Sequence, residues 1–209
     1  MDTRDKSEKF WDRMSKHFDR EERKNEPINI KIIEKTRGRL KISDNVLDYG
    51  CGTGTTAVEF ASCVEKVNGI DISPKMIEAA KRKAAKHGMT NMDFAQTTIF
   101  DEKLKKESFD VIISFYLLHL VEDTPEVMRR INELLKPDGV FISSTPCMGE
   151  SILRRILISL FGIIIRIPYL KFFKIQELKD LMTDGNFDIV ETECLNKISQ
   201  QYFIVAKKN

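Results

Sequence analysis

The chain predicts an α/β fold with a mostly parallel sheet covered by helices on both faces. Three observations carry that expectation. Between residues 46 and 144, short apolar runs take turns with amphipathic stretches of helical period, and alternation of this kind builds parallel sheets. The first run, Val46-Leu47-Asp48-Tyr49, passes straight into Gly50-Cys51-Gly52-Thr53-Gly54 and then into a helix. The last two runs, 187–194 and 201–206, are joined only by a polar loop, which suits an antiparallel pair at the sheet's edge.

Each element has its own justification. In the charged first 45 residues, Phe10, Trp11, Met14 and Phe18 recur at helical spacing, and a second helical run from Ile28 fades at Gly38 after Pro27 interrupts the first. Strands are expected at 46–49, 66–70, 92–96, 109–114 and 140–144, with helices at 55–64, 74–87 and 124–135. Ser73-Pro74 reads as a cap followed by proline in the first helical turn. Gly88 closes that helix, and Pro137-Asp138-Gly139 is read as the turn into the fifth strand. Residues 150–174 break the pattern with an oily, basic segment, after which a helix resumes at 176–183.

Composition narrows the function classes. Thirty-four Lys and Arg against 32 Asp and Glu give a net charge of +2, where a dedicated nucleic-acid binder shows a basic excess. Cys51, Cys63, Cys147 and Cys194 lie far apart without ligand spacing, so a reduced chain with no metal site is expected. The N-terminus has no apolar run and so predicts no signal peptide. These readings place the protein in the cytoplasm, with no nucleic-acid partner.

The glycine loop carries the most information. Glycines let the backbone turn tightly and approach a ligand closely, and the helix N-terminus behind them offers unpaired N–H groups. The dinucleotide spacing G-x-G-x-x-G is absent, because Thr55 stands at the third position, and so is the G-K-[ST] of a phosphate loop. What stands here is D-x-G-x-G-x-G. The second strand ends in Ile70-Asp71, an acid suited to two ribose hydroxyls that repels phosphate. An adenosine without phosphates is the better match.

On these residues the chain resembles the class I S-adenosylmethionine-dependent methyltransferases, in particular the small-molecule branch that includes quinone-biosynthesis enzymes. The resemblance covers roughly residues 10–146 and resumes at 175–206. It extends to Phe109-Asp110-Val111-Ile112, Leu117-Leu118-His119-Leu120 and Leu135-Lys136-Pro137-Asp138-Gly139, all in the family's order. It implies a doubly wound, Rossmann-like sheet of seven strands with an N-terminal helical lid and a hydrophobic helical insertion at 147–174, all in one domain. It also implies S-adenosylmethionine as cofactor, with Asp48, Gly50, Cys51, Gly52 and Gly54 at its methionine end. Asp71 would sit on the ribose, Ile72 and Met76 beside the adenine, and Ser114 at the end of the fourth strand on the same ligand. The family's adenine-binding acid is replaced by Thr97 and Thr98, which leaves that contact to a hydroxyl, Asp93 or Asp101. Phe18-Asp19 stands where Y-D is usual.

Methyl transfer from a sulfonium needs positioning and electrostatics above all, and a base only where the acceptor loses a proton. His119 is the candidate base, the alternative being a packing role at a helix start. Tyr116 is a candidate substrate-orienting residue or a core aromatic. Cys51 is read as a small side chain tolerated in the loop, Cys147 as lying near the substrate pocket, and His17 as solvent-exposed. Trp11, with Phe10, Met14 and Phe18, forms the expected lid face.

The oily segment between Ser151 and Lys174 contains five basic residues and no acid. On a helical wheel Ser151, Arg155, Ser159, Gly162 and Arg166 form one narrow polar stripe, wider apolar coverage than a surface helix carries. Its longest uncharged stretch, 156–165, is too short to span a bilayer. A core helix, a membrane-interface helix on the inner face of a membrane, a pocket lid or a homodimer contact through 151–173 all fit this pattern. The leading function is methylation of a small hydrophobic acceptor. The alternatives are a catalytically silent, cofactor-binding regulatory subunit and a protein or RNA methyltransferase. Against the last, Ser114-Phe115-Tyr116-Leu117 stands where an N-P-P-Y motif would be.

Overall fold

The computed structural model describes residues 3–152, 155–156, 158–160 and 167–209. Helices α1 (Thr3–Arg23) and α2 (Glu26–Arg37) precede β1 (Asn45–Tyr49), α3 (Thr55–Phe60), β2 (Lys66–Asp71) and α4 (Pro74–Lys86). Then come β3 (Met92–Gln96), β4 (Phe109–Phe115), α5 (Thr124–Leu134), β5 (Leu135–Pro146), α6 (Ile175–Asp184), β6 (Phe187–Asn196) and β7 (Gln201–Lys208). The seven strands form one sheet in the order β3-β2-β1-β4-β5-β7-β6. The first five are parallel, and β7 runs antiparallel to both β5 and β6.

Alternation along the strands divides the core in two. Leu47, Ile70, Ile112, Phe141 and Ile204 face one way, against Val127, Met128 and Ile131 of α5 and Leu178 and Met182 of α6. Val46, Val67, Val111, Ile113, Ile142 and Val205 face the other, against Ile32 of α2, Ala57 and Phe60 of α3, and Ile77, Ala80 and Ala84 of α4. Both faces are therefore covered, as a parallel sheet requires. The side chain of Ser73 accepts from Met76 N at 3.1 Å and starts α4.

One boundary differs from the sequence reading. Helix α5 ends at Leu134, and β5 begins at Leu135, ahead of the expected turn. Leu135 pairs with Phe109 and Val140 with Val111, so residues 136–139 bulge within the strand, with Asp138 at φ 63°. The turn chemistry of Pro137-Asp138-Gly139 is used as a bulge because both flanks find partners on β4. The helix expected at 55–64 is shorter, ending at Phe60 and followed by a 3-10 turn at Ala61–Cys63.

Chain order reverses between β1 and β4, and such a switch point opens a crevice at the strands' C-terminal ends. Helix α1 lies across it. Asp12 Oδ1 accepts from the Ser73 hydroxyl at 2.6 Å and from Lys75 N at 3.3 Å. Asp19 Oδ1 accepts from the Thr53 hydroxyl and from Lys83 Nζ. Helix α2 is held to the edge strand by Lys35, paired with Glu191 and Glu193, and the turn after it by Arg39, paired with Glu191.

Of the oily segment, residues 152, 155–156 and 158–160 are helical. Arg154, Arg166 and most of the 156–165 stretch lie outside the described residues, and the expected polar stripe with them. Among the described residues, no helix is long and apolar enough to cross a membrane, and no group of three or more His, Cys, Asp and Glu could hold a metal ion.

Candidate cofactor and acceptor site

The C-terminal ends of β1 and β4, closed over by α1 and α2, enclose a cavity of about 740 Å³, well within the range of ligand sites. Its floor is the glycine loop. Gly50, Gly52 and Gly54 have φ of 79°, 52° and 74°, left-handed values that favour glycine. Gly50 N and Cys51 N both donate to Ile70 O, at 2.9 and 3.0 Å, which folds the loop back over β2. A Cβ at Gly52 would come within 3.1 Å of the Phe18 ring, so α1 closes directly onto the loop. A Cβ at Gly54 would meet Ala80 Cβ at 3.0 Å. The third glycine thus serves helix packing and lies off the cavity wall.

Asp71 stands on the wall at the end of β2. Its Oδ2 accepts from Gly52 N at 3.0 Å and its Oδ1 from Ser73 N at 2.9 Å. A carboxylate has about four acceptor positions, so both oxygens keep capacity toward the cavity. Burial raises its pKa, partly offset by those N–H groups. Asp48 lies beneath the loop, 3% exposed, with Oδ2 buried and unpartnered. Its pKa is pushed up to about 7 by burial first, then by the charges of Asp71 and Glu22. Glu22, on the wall, is itself raised by burial. Three acids converging on one loop make the field there negative.

At the adenine end, Ile72, Met76, Thr97 and Thr98 all line the cavity. The Thr97 hydroxyl donates to Asp101 Oδ2 at 2.7 Å, which leaves its oxygen free to accept. Asp93 is ion-paired with Lys66 and 71% exposed on its side chain, away from the cavity. Ser114 is fully buried between β1 and β5, off the wall, with its hydroxyl unpartnered.

The other half of the cavity is mostly apolar, with Glu122 and Asp123 on its wall as well. Phe115, Leu117, Leu120 and Val121 from the end of β4, Ile32 from α2, Trp11 from α1, and Ile167, Tyr169 and Leu170 from the returning insertion line it. Tyr116 adopts φ 54° and donates its hydroxyl to Asn29 Oδ1 at 2.9 Å. A left-handed non-glycine at the wall is a strained position of the sort found at functional sites. His119 also lines the cavity, with Nδ1 buried and unpartnered, and burial lowers its pKa to about 4. Its backbone oxygen accepts from Lys171 N at 2.8 Å, fixing the returning insertion to the end of β4. Cys147, read from sequence as near the pocket, is instead fully buried in the core, its thiol pushed up to about 12 chiefly by burial. His17 is exposed.

The sequence reading did not single out Glu22, Asn25 or Asn29. A signal was there: Trp11, Phe18, Glu22, Asn25 and Asn29 follow helical spacing, so polar groups replace apolar ones along the lid's inner face.

A glycine cradle at a switch point, with one acid on its wall and another buried beneath it, defines a cofactor-binding site of the α/β class. A family model described as a methyltransferase domain matches residues 40–158. The ubiquinone biosynthesis O-methyltransferase of Rickettsia typhi is 33% identical over 180 residues, covering 78% of this chain and 69% of that protein. That of Haemophilus ducreyi is 35% identical over 124 residues, covering 57% of this chain and 52% of that protein. The chain thus spans about half the length of the first curated relatives it matches. The crystal structure of Bacillus subtilis YcgJ superposes with a TM-score of 0.71 at 19% identity, covering 88% of this chain and 99% of that one. The chain belongs to the class I S-adenosylmethionine-dependent methyltransferases, in the small-molecule branch.

The residues fit that cofactor. Asp71 would take the ribose hydroxyls, Gly50 and Gly52 the methionine backbone, Ile72 and Met76 the adenine faces, and Asp48, with its orphaned Oδ2, would supply negative charge beneath the loop.

Proposed function

We propose that this protein methylates a hydroxyl of a small, apolar acceptor, releasing S-adenosylhomocysteine. The observation that carries the reading is that one cavity joins the acid-lined glycine loop to a chamber walled by Phe115, Leu120, Ile167 and Leu170. The bound cofactor supplies a methyl group on a sulfonium, a leaving group that needs no acid. The chain supplies the rest. Asp71 and the loop hold the donor in place, α1 excludes water through Phe18 and Trp11, and Tyr116, fixed by Asn29, borders the acceptor. His119 lines the cavity as a neutral imidazole and is the residue to orient the acceptor hydroxyl; with its pKa lowered to about 4 by burial it is a weak proton acceptor.

Delivery from a membrane surface goes with this reading. Ile152, Ile156 and Leu160 recur every four residues and are 72%, 52% and 55% exposed, an apolar stripe beside Arg155. The same segment returns as the cavity wall at Ile167 and Leu170. An anionic bilayer complements both parts, apolar side chains entering the interface and basic ones meeting headgroups.

The test is S-adenosylhomocysteine release from labelled cofactor over a panel of apolar phenols and alcohols, with cofactor binding measured alongside. Methylated product from a hydroxyl acceptor supports the reading. Tight cofactor binding with no turnover across the panel favours the silent, regulatory alternative.

A further inference from the structure

The charge pattern of the cavity goes beyond its shape. Among the described residues its wall holds five carboxylates, Glu21, Glu22, Asp71, Glu122 and Asp123, and no Lys or Arg. The one basic side chain on it, His119, is neutral at pH 7.

The acids are not equivalent. Glu21 is paired with Lys24 at 2.5 Å and contributes little. Glu22 and Asp71 face the interior, with Asp48 beneath them. Glu122 and Asp123 stand at the opposite end of the wall, exposed, near Tyr169. Among the described residues, two lysines beside the wall have partners off it. Lys83 bonds Asp19, Thr53 and Thr55. Lys171 bonds the Thr124 hydroxyl at 2.9 Å and lies over the Phe173 ring.

From this we infer that the acceptor pocket selects against negative charge: its substrates are apolar molecules that are uncharged or cationic, and carboxylates, phosphates and diphosphates of the same shape are turned away. The inference rests on the proposed function and names its substrate class. An anion entering this wall would meet like charges at both ends, with no Lys or Arg among the described wall residues to compensate its lost hydration, an arrangement that costs affinity. A neutral hydroxyl can meet the His119 ring on the wall and the Tyr116–Asn29 pair. A cationic tail can meet Glu122 or Asp123. The same acids favour the positive cofactor, so one field serves donor recognition and acceptor choice.

The experiment uses three probes with one apolar body: 6-phenylhexan-1-ol, 6-phenylhexylamine and 6-phenylhexanoate. Each is titrated at pH 7.5 into the full chain loaded with S-adenosylhomocysteine, by calorimetry and by emission of Trp11, the single tryptophan and a wall residue. The alcohol and the amine should bind at least ten-fold more tightly than the carboxylate. The gap should narrow several-fold in Glu22→Gln and in Glu122→Gln/Asp123→Asn, where Asn keeps the cap of α5, and again at high salt. A carboxylate binding as well as the alcohol overturns the inference. So does a gap unchanged in both variants, or binding of none of the three. Titration of S-adenosylhomocysteine into the same protein reads the cofactor site separately. If it fails to bind, the proposed function falls, and the order of the three probes on the bare protein decides the charge selection alone.

Discussion

Asp48 sits where stability and binding are opposed, and Asp48→Asn separates them. An aspartate whose folded-state pKa is about 7, against about 3.9 in an unfolded chain, keeps its proton in the folded state over a range where the unfolded state has lost it. Folding stability therefore falls as pH rises from about 4 to about 7 and stays low above that. Three units correspond to about 4 kcal/mol. The amide carries no charge and escapes both the burial cost and the repulsion from Asp71 and Glu22, so it should recover a cost of that order, about 2–4 kcal/mol. Urea unfolding of the two proteins at pH 4, 5.5 and 8 reads this directly: no gain at pH 4, a partial gain at pH 5.5 and the full gain at pH 8. The same variant should bind S-adenosylmethionine less tightly, because the negative charge beneath the loop is lost. In the unaltered protein, a bound cation should lower the Asp48 pKa, so cofactor binding near pH 7 should release protons, seen as a buffer-dependent calorimetric heat. A stability gain independent of pH would refute the reasoning, as would an amide variant no more stable than the parent at pH 8.

Three further outcomes are expected. Asp71→Ala should weaken cofactor binding by about 1.5–3 kcal/mol, and an unchanged isotherm would remove Asp71 from the ribose. His119→Ala should lower turnover with cofactor affinity retained, and full activity would return His119 to a packing role. In co-sedimentation, the protein should bind anionic vesicles more than neutral ones, and Ile156→Asp together with Arg155→Glu should abolish it. Equal binding by that variant would move the membrane contact elsewhere.

The fold was legible where local chemistry and tertiary context agree. Ser73-Pro74 starts α4 because its cap works on residues three apart, and β1 runs into the loop because three left-handed positions there favour glycine. The bulge in β5 was not legible, because Pro137-Asp138-Gly139 has the same local chemistry in a turn as in a bulge. Only pairing with Phe109 and Val111 decides between them. The site divides in the same way. Asp71 could be read from its place at a strand end, whereas Cys147 was put near the pocket from its place after β5 but lies in the core beneath.

The acids make the larger point. Asp48, Asp71 and Glu22 come from β1, β2 and the lid, and no spacing in the chain links the third to the other two. Their convergence follows from α1 being held across the crevice by Asp12 and Asp19. The lid therefore does more than cover the cavity: by bringing Glu22 to the loop it completes the negative field. Any change that loosens α1, such as Asp12→Ala, should weaken cofactor binding even though Asp12 lies off the cavity wall. The cofactor's positive charge, in turn, should hold the lid shut, which couples closure of the acceptor chamber to occupancy of the donor site.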